Sequence, residues 1–173
     1  MTTKRTVLSL FIALLFAVVA QPAIADSGSG LSALNGEKVV PPVQTEAAGL
    51  FSFNVVSGGN MLEITLCASN ISDVNSVQIH RGSDDETGPA VITVCGGDSG
   101  RKCTNLIHDN LLIREYITEL DNGDPVSSIA GDLASGDYYV DVDTAAYPNG
   151  EIRGQIRSGF LPWQMTDMWE DLQ

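Results

Sequence analysis

The chain has 173 residues, with 22 acidic against 9 basic side chains and a formal net charge of −13. Such an acidic surface repels phosphate backbones and anionic lipid headgroups, so binding to nucleic acid or to a membrane surface is disfavoured. A hydrophobic content of 43% excludes wholesale disorder, and a chain of this length can bury a substantial core as one domain. Composition therefore indicates an acidic, folded, single-domain protein.

Residues 1–25 have the organisation of an export signal. Lys4 and Arg5 precede an apolar run at residues 7–20, and small residues then occupy the −3 and −1 positions of a signal-peptidase site. The alternative, an uncleaved membrane anchor, is disfavoured because the run is short for a membrane span. We expect cleavage of the signal peptide and release of a secreted protein, extracellular or periplasmic, that has no further contact with the membrane.

The three cysteines fit an oxidising compartment. Cys95 and Cys103 flank a glycine-containing stretch that can fold back on itself, so we expect a disulfide between them, with two free thiols as the alternative. Three cysteines without paired histidines do not make a zinc site. Cys67 is left over near the end of a predicted strand, where we expect a small, half-buried apolar residue.

Beyond a polar leader, apolar and polar residues alternate, and turn residues recur about every ten positions, which is typical of an antiparallel β-sandwich. This period-two pattern predicts strands at residues 31–35, 49–56, 61–68, 74–80, 90–95, 111–119, 137–143 and 151–157. Residues 111–119 could also form a helix, but their β-branched and aromatic content favours a strand. Pro41 and Pro42 remove two backbone donors and must lie at a sheet edge or outside the sheet.

The remaining segments complete one domain. Residues 127–133 are expected to form one or two helical turns. The chain contains no internal repeat and no linker, so residues 31–157 are expected to fold as a single domain. Residues 158–173 form a C-terminal tail, whose Trp163 and Trp169 either dock on the domain or stay loose.

Four sequence blocks stand out in this domain, at residues 34–43, 77–82, 139–144 and 147–156. The last of them, YPNGEIRGQI, fits the pattern Y-P-x-G-E-I-R-G-Q almost letter for letter. In this order the blocks resemble the CHRD domain, the module named after chordin. The resemblance implies an all-β sandwich of immunoglobulin-like or superoxide-dismutase-like character. It implies no established chemistry, and it suggests binding or architectural work outside the cell.

Two departures from the family pattern bear on metals. The family usually has H-I-H where this chain has Gln78, Ile79 and His80, and it has a histidine where this chain has Asp143. Paired imidazoles on alternate strand positions could hold a transition metal, but one imidazole is too few. We therefore expect no metal and no cofactor. A metal-binding protein, or a metal-dependent enzyme of dismutase type, is the alternative.

The polar motif residues that core packing does not explain form the candidate binding site: His80, Arg81, Asp141, Asp143, Glu151 and Arg153. All but Arg81 share the polar side of three predicted strands, so neighbouring strands would bring them to one sheet face or end. A cation, or a partner surface rich in Lys and Arg, would suit their carboxylate excess. The alternative is a solvated face with Asp–Arg pairs across strands, each contributing a few tenths of a kcal/mol.

No catalytic motif accompanies these residues. The chain lacks G-x-S-x-G, H-E-x-x-H, C-x-x-C and a glycine-rich phosphate loop. His108 and Asp109 are adjacent in sequence, which does not place them on the same face of a strand. The sequence therefore predicts a secreted, non-catalytic binding or structural module, whose partner is an extracellular or periplasmic protein.

Overall fold

The computed structural model describes residues 28–103, 105–107 and 109–159. The expected signal peptide, His108 and nearly all of the C-terminal tail, including both tryptophans, lie outside the described residues. Within the described part of the chain, no helix has the length and the apolar composition that crossing a membrane requires.

The described residues form an all-β, antiparallel fold, as the sequence predicts. The nine strands are, in chain order, β1 Ser29–Asn35, β2 Ala48–Val56, β3 Met61–Ser69, β4 Val74–Arg81, β5 Ala90–Gly96, β6 Asn105–Ile107, β7 Asn110–Ile117, β8 Ser135–Thr144 and β9 Ile152–Ser158. Single 3₁₀ turns occur at Gly36–Lys38, Ser57–Gly59 and Val126–Ser128. The ambiguous segment near residue 111 is a strand, and β6 is a short strand that the sequence pattern does not predict.

All nine strands belong to one sheet, in the order β5-β4-β8-β9-β1-β2-β3-β7-β6. The sheet folds over until its two ends approach each other. Asp121, which follows β7, accepts a hydrogen bond from the amide of Thr93 on β5 at 2.8 Å. Its own amide donates to the carbonyl of Val91 on the same strand at 3.0 Å. The result is a nearly closed, sandwich-like layer around one core.

The core follows from the period of two in each strand, because alternate side chains point to the same face. The fully buried strand residues include Phe51, Phe53, Leu62, Ile64, Leu66, Val77, Ile79, Val140, Val142, Ile152 and Ile156. Burial of each such side chain stabilises the fold by roughly 1.5–3 kcal/mol. Cys67 is exposed, which corrects the expectation of a half-buried residue. It lies out of phase with the core-facing Leu66 and Ala68.

Two further sequence expectations, on the cysteine pair and on the two prolines, agree with the structure. Cys95 and Cys103 are joined at disulfide distance, with their Cα atoms 5.3 Å apart. Pro41 and Pro42 lie outside the strands, in the segment before β2. Glu151 was expected to begin a strand, but β9 begins one residue later, at Ile152.

Candidate functional site

Five of the six predicted site residues come from three strands that are neighbours in the sheet, β4, β8 and β9, and Glu151 directly precedes β9. β8 lies between the other two. Asp141 on β8 pairs in register with Gln78 on β4 and with Arg153 on β9. His80 on β4 lies opposite Tyr139 on β8. The structure therefore brings His80, the β8 carboxylates and Arg153 together on one side of the sheet.

Arg81 does not join this cluster, because neighbouring residues of a strand point to opposite faces. Its Nη2 donates to the hydroxyl of Tyr138 at 3.1 Å, and its guanidinium carbon lies 5.5 Å from the centroid of that ring. Tyr138 is 1% exposed and belongs to the core. Arg81 therefore covers the core side of the sheet.

His80 is held from three directions. Its Nδ1 lies 2.9 Å from the carbonyl oxygen of Gly88, which only accepts, so Nδ1 carries the proton and donates. Its ring stacks on Tyr139 with centroids 4.9 Å apart. Its Nε2 lies 3.3 Å from Oδ1 of Asp141, without the alignment of a hydrogen bond. When the imidazole is doubly protonated, charge attraction links it to the carboxylate.

These contacts shift two pKa values. Burial disfavours the charged form of His80, but Asp141, the Gly88 carbonyl and Asp143 outweigh it and raise the pKa of His80 above its ordinary value. Burial raises the pKa of Asp143 as well, and the charge of Asp141 adds to the effect. The 2.6 Å hydrogen bond that Ser76 donates to Asp143, and the nearby His80, oppose that shift without cancelling it.

Arg153 is buried, with 3% of its surface exposed. Its Nη2 donates to the carbonyl oxygens of Ser83 and Glu86, both at 2.7 Å. Its guanidinium carbon lies 3.5 Å from the ring centroid of Tyr139. The acidic loop, residues 82–89 between β4 and β5, is therefore tethered to β9 through its backbone.

Gln155 adds a second tether from the same strand. Its Nε2 donates to the carbonyl oxygens of Gly82 at 2.8 Å and Gly136 at 2.6 Å. The side chain is 8% exposed, and its Oε1 is buried without a hydrogen-bond partner among the described residues. Sequence reasoning missed Gln155, although a polar residue two positions after Arg153 had to share its face of the strand.

Glu151 tethers a second loop. Its carboxylate accepts from the hydroxyl of Thr45 and from the hydroxyl of Thr144, each at 2.7 Å. Glu151 is 7% exposed. The proline loop, residues 39–47 before β2, is thereby fixed to the end of β8. Glu151 and Arg153 are thus buried beneath loops rather than exposed on an open sheet face.

A groove opens between these two loops. The residues that line it are Glu37, Lys38, Val39, Val40, Pro42, Asp84, Asp85, Arg153 and Gln155, and its volume is about 380 Å³. Its buried residues are Val39, Arg153 and Gln155, and the exposed Asp84 and Asp85 stand at its rim. Asp84 also accepts from Arg157 at 2.6 Å.

The cluster offers little to a metal ion. Within the described ranges, no three His, Cys, Asp or Glu side chains are grouped so that they could hold one. Only His80 supplies an imidazole there, and the Asp143 carboxylate already accepts a hydrogen bond from Ser76. What the arrangement can do chemically is fix two loops and present the groove between them.

Comparison with known proteins gives one match. A family model described as the CHRD domain matches residues 31–156. No curated protein and no solved structure matches the chain. The matched range includes all six predicted site residues, both tethered loops and the groove.

Proposed function

The chain belongs to the CHRD domain family, and we propose that it is a secreted, non-catalytic binding module that contacts a partner protein through its two tethered loops. Family membership supports a binding or structural role, and CHRD domains are typical of secreted proteins. The export signal predicted for residues 1–25 and the Cys95–Cys103 pair at disulfide distance agree with an extracellular or periplasmic location.

One observation carries the proposal: the buried polar residues of the family motif form hydrogen bonds that hold the two loops. Arg153 and Gln155 hold the backbone of the acidic loop, and Glu151 holds the proline loop. Binding residues on a sandwich are concentrated on loops that a rigid scaffold positions. A loop that is fixed in advance loses less conformational entropy when a partner binds, so preformed loops favour recognition.

Electrostatics indicates the character of the partner. Asp84 and Asp85 are exposed on the acidic loop, on a chain whose net charge is −13. A partner surface with Lys or Arg residues is complementary to this rim and is attracted to it during encounter. An acidic partner is repelled over most of the surface.

The test is capture of a partner from the native secreted fraction, compared between two matched variants. Asp84→Asn with Asp85→Asn removes the rim charges, while Glu63→Gln removes one carboxylate from β3, outside the loops. The proposal predicts that the first variant captures at least several-fold less of the partner than the wild type does. The second variant should capture as much as the wild type. Equal capture by all three proteins would contradict it.

Elemental analysis separates this proposal from the alternative of a metal-dependent enzyme. The purified, exported protein is expected to contain no stoichiometric copper or zinc. One equivalent of either metal that survives dialysis would overturn the non-catalytic proposal, because it would require a site that the described side chains do not form.

A further inference from the structure

The guanidinium of Arg153 has hydrogen-bonding capacity that the protein leaves unused. A guanidinium carries five N–H donors. Both hydrogen bonds that it makes to described residues come from Nη2, to Ser83 and Glu86, so Nε and Nη1 have no acceptor among them. Neither atom is among the fully buried polar atoms without a partner, so both reach the groove that Arg153 lines, where water or a ligand can accept from them.

The positive charge of Arg153 is also unmatched. No carboxylate of a described residue lies within 4.0 Å of it, although Asp141 is its register partner on β8. Its counterparts are two neutral carbonyls and the face of the Tyr139 ring. A buried cation without an anion is destabilising, and truly buried charges are usually paired.

The groove leads to this cation. Arg153 lines it, and Val39, Val40 and Pro42 supply an apolar wall. The lining carries three acids, Glu37, Asp84 and Asp85, against two bases, Lys38 and Arg153, and Arg157 beside the groove pairs with Asp84. The groove is therefore a place on a strongly acidic protein where an anionic group meets little repulsion.

We propose that this groove binds a carboxylate group of the partner protein, which accepts a hydrogen bond from one of the two remaining donors of Arg153, Nε or Nη1. The inference rests on the proposed function and specifies what its groove recognises. A carboxylate supplies an acceptor and the missing charge, and charge-assisted hydrogen bonds of this kind are the stronger ones. The exposed Asp85 at the rim favours a carboxylate that is followed by a Lys or Arg of the partner.

The test uses small probes on the whole mature protein. Sodium acetate is titrated into ¹⁵N-labelled protein, and the Nε–Hε resonance of Arg153 is followed by NMR, with acetamide as a neutral probe of the same shape. We expect saturable shifts at Arg153 and at the amides of residues 84–86 with acetate, and none with acetamide. No saturable shift with acetate, or equal shifts with both probes, would overturn the proposal.

Two variants locate the effect. Arg153→Lys is expected to abolish acetate binding, and Arg114→Lys, at an exposed arginine of β7, is the matched control that should bind as the wild type does. Because Arg153→Lys also disturbs a tether, Asp85→Asn provides the independent check at an exposed position. Removing this rim charge should tighten acetate binding by about threefold, since one nearby repulsion is lost. Unchanged or weaker binding in Asp85→Asn would count against the groove.

Two peptides distinguish the possible sources of the carboxylate. Acetyl-Ala-Ala carries a chain-terminal carboxylate, and acetyl-Ala-Asp-Ala amide carries only a side-chain carboxylate. Saturable binding of either, with loss in Arg153→Lys, supports the proposal and identifies the source; binding of neither contradicts it. Acetate and both peptides could fail to bind while the Asp84→Asn, Asp85→Asn variant still captures less of the partner. In that case this inference is wrong and the binding-module proposal stands.

Discussion

Replacing Arg153 with Met removes the tether of the acidic loop while keeping an unbranched, apolar side chain in the buried space. The variant loses two charge-assisted hydrogen bonds, to the carbonyls of Ser83 and Glu86, and the contact with the Tyr139 ring. Hydrogen bonds to charged groups contribute about 1.5–3 kcal/mol each, and a desolvated cation–π contact about 2 kcal/mol.

The net loss is smaller than this gross sum, because Met no longer requires a buried cation and the loop carbonyls can rehydrate once the loop is released. We expect the free energy of unfolding to fall by about 2–3 kcal/mol. The matched control is Arg157→Met on the same strand. Arg157 contacts Asp84 of the same loop at 2.6 Å, but both side chains are more than half exposed, so its loss should be at most about 1 kcal/mol.

Urea unfolding measures both values, and amide hydrogen exchange tests the cause. The Glu86 amide donates to the Ser83 carbonyl, and the Gly88 amide donates to the Tyr139 hydroxyl. Arg153→Met should speed exchange at both amides more than it speeds exchange in the core strands. A loss below 1 kcal/mol with unchanged exchange at these amides would refute the claim that Arg153 holds the loop.

Further predictions concern the disulfide, the histidine and the second tether. Cys95→Ala with Cys103→Ala should lower the free energy of unfolding by about 2.5 kcal/mol, the loop-entropy value for so short a loop, and the same loss on reduction of the wild type would confirm the cause. The folded state raises the pKa of His80, so protonation of His80 contributes to the free energy of unfolding. This contribution is fully present below the unfolded pKa near 6.5 and is lost as the pH rises through the folded pKa. Denaturation at several pH values should show this decline in the wild type and a flatter curve in His80→Gln; identical curves would contradict the assignment. Glu151→Ala should destabilise the fold by about 2–3 kcal/mol, because two hydroxyl groups lose a charged acceptor, and a loss below 0.5 kcal/mol in urea unfolding would disprove the tether.

Much of the fold was predictable, because strands that pack one face on a shared core alternate apolar and polar residues along the sequence. The hairpin of β2 and β3 and the strand β8 fall within a residue or two of their expected bounds. β6 was missed because three residues are too few to show a period. The burial of Cys67 was misjudged, although the phase of Leu66 and Ala68 placed it on the outer face.

The candidate site was predictable in composition but not in arrangement. Residue type marked Glu151 and Arg153 as polar and therefore accessible, yet both are buried beneath loops. The loop partners lie far away in the chain, Thr45 at 106 positions from Glu151 and Ser83 at 70 positions from Arg153, and no local pattern indicates such contacts. Tyr139 was not singled out, since its role between His80 and Arg153 depends on how β4, β8 and β9 are ordered in the sheet.

Site-specific photo-crosslinking in the native secreted fraction tests the central claim most directly. A photoreactive amino acid is placed at Asp85, on the rim of the groove, and in a matched variant at Leu112, which is 47% exposed on β7. The binding-module account predicts a discrete protein adduct from position 85 and none from position 112. An adduct from position 112 with none from position 85 would place the binding surface elsewhere and contradict the account.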